Sequence, residues 1–190
     1  MQGKRPSAPW RFRKFAGMVF TLGFLLLVTH QSSANEKSDC YHGYALITHG
    51  KAEIVFRACR HLAELGEIRA FGALGGLYWD GFGTKQDTYE AIYWHTRAAI
   101  AGDIQSKFFL GTIYEDGAKG APKDNVRAYM WYTLAAQGLE QFNKIRARDQ
   151  PRFDEVPQIA RSSLTRLVNS MTPKEVSDAK EMVAKWPDVH

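Results

Sequence analysis

Two pairs of residues have the types and spacing of a metal site: Cys40-x-His42 and Cys59-x-His61 offer the two thiolates and two imidazoles that a tetrahedral zinc ion takes. Helical backbone opposes that use. Side chains two apart on a helix point to nearly opposite sides, so neither pair chelates from one. The same cysteines have a second use, because Gly50 lies almost midway between them. If His49-Gly50 turns a helical hairpin, Cys40 and Cys59 stand at equal height on antiparallel helices. A disulfide is then the expected state in an oxidising compartment, where closing a loop of about twenty residues contributes roughly 3 kcal/mol. Free thiols are the remaining alternative, and no metal is expected.

Other reactive residue types are present without converging on a reaction. The stretch Gly117-Ala118-Lys119-Gly120-Ala121-Pro122-Lys123 has the composition of a phosphate loop, yet it follows a helical pattern and lacks the Gly-Lys-Ser/Thr ending. Asp80 and Asp116, and Asp87 and Asp124, return with a period, which suits turns and helix caps better than paired catalytic carboxylates. His95 stands beside Trp94 with no signature tying it to a nucleophile, and Ser162-Ser163 lacks a nucleophile elbow. Neither catalysis nor a cofactor is expected from these residues.

The elements that carry them are set by that period. Glu64-Leu65-Gly66, Ile100-Ala101-Gly102 and Ala136-Gln137-Gly138 end in glycines 36 residues apart. Ala73-Leu74-Gly75-Gly76-Leu77-Tyr78 aligns with Phe109-Leu110-Gly111-Thr112-Ile113-Tyr114, and Asp80-Gly81 with Asp116-Gly117 before one inserted residue. Asp87, Ala91, Trp94 and Ala98-Ala99 then fall opposite Asp124, Ala128, Trp131 and Ala135-Ala136. A period of this length marks stacked units, each too small to bury its own apolar face. Each unit reads as two helices. Ala70, Leu74, Leu77 and Tyr78 form a buried stripe over 68–79, Gly81-Phe82-Gly83 ends it, and Asp87 caps the next helix with Glu90 completing a capping box. Gly102 closes that helix in a left-handed conformation. Gly75 and Gly111 let paired helices approach, and Tyr78, Tyr114, Trp94 and Trp131 are core residues first.

The pattern Leu-Gly-x-Leu/Ile-Tyr-x-Asp-Gly, an Asp cap, then Ala-x-x-Trp and Ala-Ala before glycine, resembles the Sel-one-like repeat family, short relatives of the tetratricopeptide repeat. The resemblance covers two copies, Ile68 to Gly102 and Asp103 to Gly138, and implies a right-handed α/α solenoid of helix-turn-helix repeats with a scaffold or adaptor role. Residues 35–66 are then a degenerate N-terminal repeat whose first helix lies near 39–48. Residues 67–138 hold the two repeats, and 139–190 form a linker and capping helices. Within that last part, 139–157 is expected to be an irregular, charged insertion broken by Pro151 and Pro157. Helices resume over 158–169 and 173–185, the latter opened by a Thr172/Glu175 capping box. The stretch from Met171 to Trp186 resembles the closing helix of secreted bacterial members.

Residues 1–34 read as a signal peptide: Lys4, Arg5, Arg11, Arg13 and Lys14 precede an apolar run of about eleven residues, and Ser32-Ser33-Ala34 offers a cut after Ala34. A spanning helix needs roughly 20 apolar residues, so an uncleaved anchor is the alternative and the only route to a membrane. Removing the leader takes five of the 25 basic residues and none of the 20 acidic ones, leaving a formally neutral chain. The basic surplus that nucleic-acid binding needs is then absent. Secretion to a bacterial periplasm is expected.

Binding positions should be those the repeat leaves unconstrained. On the first helices of the two copies, Phe71, Ala73, Gly76 and Trp79 stand against Lys107, Phe109, Thr112 and Glu115. First helices line the concave side of such stacks, so Phe71, Trp79, Lys107, Phe109 and Glu115 are the expected groove for another envelope protein. Trp79 leads, because an exchange with Glu115 ill suits a fully buried site. The alternatives are an envelope enzyme or small-ligand protein acting on peptidoglycan or β-lactam-like molecules, and a self-associating structural role.

Overall fold

The computed structural model describes residues 34–145 and 155–186, and among these every regular element is helical. Helix α1 (34–42) is followed by α2 (Tyr44–Thr48), α3 (Ala52–Glu64), α4 (Ile68–Asp80), α5 (Thr88–Ile100), α6 (Ile104–Asp116), α7 (Asn125–Ile145), α8 (Glu155–Ser170) and α9 (Pro173–Lys185). A 3-10 turn at Ala118–Gly120 joins α6 to α7. Helices α4 and α5 pair as one hairpin and α6 and α7 as the next, with α5 packed on α6 and α3 on α4, which is the stacking of an α/α solenoid. No described helix is long and apolar enough to cross a membrane.

Local chemistry explains the boundaries. After α3 the Gly66 N–H donates to Ala63 and the Glu67 N–H to Leu62. After α5 the Gly102 N–H donates to Ala99 and the Asp103 N–H to Ala98. Gly66 and Gly102 have φ of +85° and +95°, so both ends are Schellman closures that an L side chain would strain. Asp87 accepts from the Tyr89 and Glu90 N–H groups, and Asp124 from Arg127 N–H. The expected capping box at Asp87 is half formed. Glu90 turns its carboxylate to the Trp94 indole N–H at 3.1 Å instead of back to the cap. At Thr172 both halves are present, with Pro173 in the first turn.

Three expectations are corrected. The first helix of the N-terminal unit begins by residue 34 rather than near 39, and it breaks at Gly43, where a Cβ would stand 2.6 Å from the Val55 side chain. Gly138 ends nothing: α7 runs through it to Ile145, and its missing Cβ lets α7 lie against Ile104, 3.3 Å from where that atom would be. The insertion 139–157 is accordingly helical over 139–145 and again from 155. Pro157 sits in the first turn of α8, where a proline removes no helical hydrogen bond. Pro151 and the leader to residue 33 lie outside the described residues.

The interior forms two clusters. One gathers Val55, Cys59, Leu62, Leu74, Leu77 and Trp94 around the first repeat, and the other Leu110, Tyr114, Trp131, Tyr132 and Leu167 around the second. Tyr78 packs edge-on against Phe56, and Trp131 against Trp186 of the C-terminal cap. Cys40 on α1 and Cys59 on α3 are joined as a disulfide with Cα atoms 4.8 Å apart. It ties together the two sides of the terminal unit, which is packed on the stack from one side only.

Candidate binding site on the first helices

A trough of about 690 Å³ runs along α4 between α1 and α6. Its floor is one helix face, Arg69, Gly72, Ala73, Gly76 and Asp80, at the 3/4 spacing of neighbours on a helix. Cys40 and Tyr41 of α1 form one wall, and Gln105, Ser106 and Phe109 of α6 the other, with His95 of α5 set behind it. The floor is low because its side chains are small. In the second copy the same face of α6 carries Phe108, Phe109 and Thr112 where α4 has Gly72, Ala73 and Gly76. A Cβ at Gly76 would meet nothing within 4 Å.

His95 is 6% exposed. Its Nδ1 lies 3.1 Å from Ser106 Oγ, its ring stacks on Phe109 with centroids 4.4 Å apart, and Nε2 is buried without a partner. Burial pushes the imidazole down to about 4, against a weaker opposing pull from Asp103, so the ring is neutral at ordinary pH. Tyr41 on the opposite wall has its hydroxyl in the same unpartnered condition, while the Arg69 guanidinium sits 4.5 Å from its ring centroid. Asp103 is occupied in capping α6, accepting from Ser106 N–H at 2.7 Å.

The five residues expected to line a groove are dispersed. Phe71 is core, 6% exposed, packed on Trp94 and covered by the Arg97 guanidinium at 4.4 Å. Its position points into the hairpin, a direction that comparing copies could not give. Lys107 is half-buried toward α7, within reach of Gly138, and burial lowers its pKa. Phe109 does reach the trough wall, but it also packs edge-on against Trp79 at 5.4 Å. Trp79 is further covered by Lys119, whose ammonium lies 4.7 Å from the indole and donates to the Trp79 carbonyl at 2.6 Å.

Glu115 accepts both Arg166 nitrogens from α8 and the Tyr132 hydroxyl at 2.8 Å, and its side chain is 14% exposed. The Trp79/Glu115 exchange therefore follows the next helix in the stack. Trp79 meets Phe109 of α6, and Glu115 meets Arg166 of α8. An unlike pair of neighbours explains unlike residues without any partner.

What sequence reasoning missed is the floor itself, together with Tyr41, Arg69 and Gln105. A signal was available: Gly72, Ala73 and Gly76 are each smaller than their copy-equivalents. The remaining chemical candidates are placed elsewhere. His61 faces Glu36 at 2.9 Å, both cysteines are oxidised, and no group of three or more metal-ligating side chains occurs among the described residues. Lys119, in the loop of phosphate-binding composition, is held on Trp79 and Asp80.

Residues 73–103 and 104–138 match the Sel1 repeat. Among curated proteins, the chain is 40% identical over 67 residues to the chitin synthase regulator SKT5 of Saccharomyces cerevisiae. It is 29% identical over 97 residues to chitin synthase regulatory factor 2 of Schizosaccharomyces pombe. These matches cover 34% and 51% of this chain but only 10% and 19% of the fungal proteins. A solved structure of a protective antigen from uropathogenic Escherichia coli, described as having an SLR fold, superposes with a TM-score of 0.56 at 22% identity. That match spans 70% of this chain and 25% of the antigen, and at such identity it speaks to the fold alone. The hairpins, their caps and these matches agree: the described residues form an all-helical solenoid, and two stretches of it match the Sel1 repeat.

Proposed function

We propose that the protein is a non-catalytic scaffold that holds another protein in the trough over α4, acting as an adaptor or regulator in the bacterial cell envelope. The observation that carries this is the trough: its floor is stripped of side chains, while the corresponding face of the second repeat is filled. Regulators of an enzyme are among the relatives matched, in keeping with a role exerted on another protein. Location in the envelope is supported by the leader-like residues 1–34 and by the Cys40–Cys59 disulfide, a bond that persists in oxidising compartments.

The test is site-directed photocrosslinking in cells with the full chain, placing the crosslinker at Gln105 on the trough wall and, separately, at Tyr89 on the outer face of α5, where it is 76% exposed. A defined protein adduct from Gln105 that is absent from Tyr89 is the expected result. Equal labelling from both positions, or adducts from neither, would sink the proposal.

A further inference from the structure

The trough also carries information about what fills it, and the following rests on the proposed protein-binding role. On the second repeat the equivalent helix face is occupied by the chain's own rings, Phe108 packing on Tyr132 with centroids 5.4 Å apart beside Thr112. The first repeat has glycine, alanine and histidine at the matching floor and ring positions, so the volume that rings occupy in one copy is open in the other. Its walls remain aromatic, Tyr41 on one side and Phe109 on the other.

Two polar groups beside that volume, the Tyr41 hydroxyl and His95 Nε2, are buried and closed to solvent, so what an occupant meets is the floor, the aromatic walls and charge. Charge selects further. Lys37 pairs with Glu67 beside Tyr41, Lys119 lies against Asp80 at the far end, and Asp103 is held by its cap. Among the described residues Arg69 has only the face of Tyr41. The floor from Arg69 to Asp80 is roughly 16 Å long at the helical rise, room for about five residues of extended chain.

We infer that the trough takes an extended segment of a partner protein that sets an aromatic side chain over Ala73 and Gly76 and an acidic side chain, two positions away, on Arg69. Side chains two apart on an extended strand lie about 7 Å from each other on one face, close to the rise of about 6 Å between Arg69 and Ala73.

The experiment is selection of displayed random heptapeptides on the immobilised full chain, followed by titration of the synthetic winners against wild type, Gly76→Leu and Arg69→Glu. Gly76→Leu fills the trough from an open position and is checked for an unchanged circular dichroism spectrum. The expected winners carry Phe, Tyr or Trp two positions from Asp or Glu. They lose about tenfold or more in affinity when the ring becomes alanine, and as much on Gly76→Leu. Arg69→Glu shifts preference to a lysine in place of the acid. Winners that depend on Gly76 but lack the ring, or ignore Arg69, overturn this inference and leave the protein-binding trough standing. Winners indifferent to Gly76→Leu, or no enrichment at all, overturn both.

Discussion

Gly75 faces His95 in the first repeat and Gly111 faces Tyr132 in the second, and the two rings leave the helix face beyond them in opposite conditions. A Cβ on either glycine would fall 2.7 Å from the imidazole or 2.6 Å from the phenol ring, so the close approach of the paired helices is the same. Beyond it the copies part. Tyr132 reaches through to Thr112 and Glu115, where Arg166 of α8 closes the network. His95 stops at Ser106, and the space that Tyr132 and Phe108 fill in the second copy opens as the trough. One repeat is sealed by the chain's own cap, and the other stays open. The same hairpin is thus filled or open according to four or five side chains on one face.

The largest effect that separates the repeats is their response to pH. The His95 pKa falls from 6.5 in the unfolded chain to about 4 in the fold, so the unfolded state binds the proton first as pH drops. Stability contributed by the neutral ring is intact above pH 6.5 and declines through the interval down to about 4, by about 3 kcal/mol at most. Tyr132 behaves in the reverse sense. Burial raises it to about 12, so its contribution is intact below pH 10 and declines as pH rises toward 12, by a similar amount of about 3 kcal/mol. Urea unfolding across pH is expected to show both arms, with His95→Phe flattening the acid arm alone and Tyr132→Phe the alkaline arm alone. Identical profiles for the two variants would break the comparison.

Next in size are the shared glycines. Gly75→Ala and Gly111→Ala each press a methyl group into a buried ring and are expected to lower stability by about 1–3 kcal/mol. A much smaller loss for Gly75→Ala would mean that the trough gives His95 room to move. Glu115→Gln should cost about 1 kcal/mol, because Arg166 is well exposed and its attraction is screened. Hydrogen exchange would place that loss in α8, with α4 and α5 unchanged. The smallest effect is a gain: Gly76→Ala removes a mid-helix glycine over open space and is expected to add about 0.5–1 kcal/mol. A loss there would mean that the floor of the trough is not empty.

Much of this was legible before any coordinates. The 36-residue period gave two hairpins, their Asp caps and their glycine closures at Gly66 and Gly102, because caps and left-handed glycines are local chemistry. The same local logic misplaced Gly138, whose surroundings are tertiary: Ile104 packs where a closure would have begun. Exchange between copies pointed to Phe109, which lines the trough, and also to Phe71 and Trp79, which pack within the chain. Phe71 varies because it meets Trp94 and Arg97, and Trp79 because it meets Phe109 and Lys119. Variation marks a change of neighbour, and that neighbour can be the next helix as easily as a partner.

The sequence by itself determined the repeat, the capped helix starts and the aromatic core positions. Each of these is set by residues within a turn or two of one another, or by a period that the chain repeats. Which face of α4 stays open was decided only in three dimensions. That depends on how far α1 and α6 lie from it and on which side chains reach across, and small residues record an opening only once the walls around them are in place.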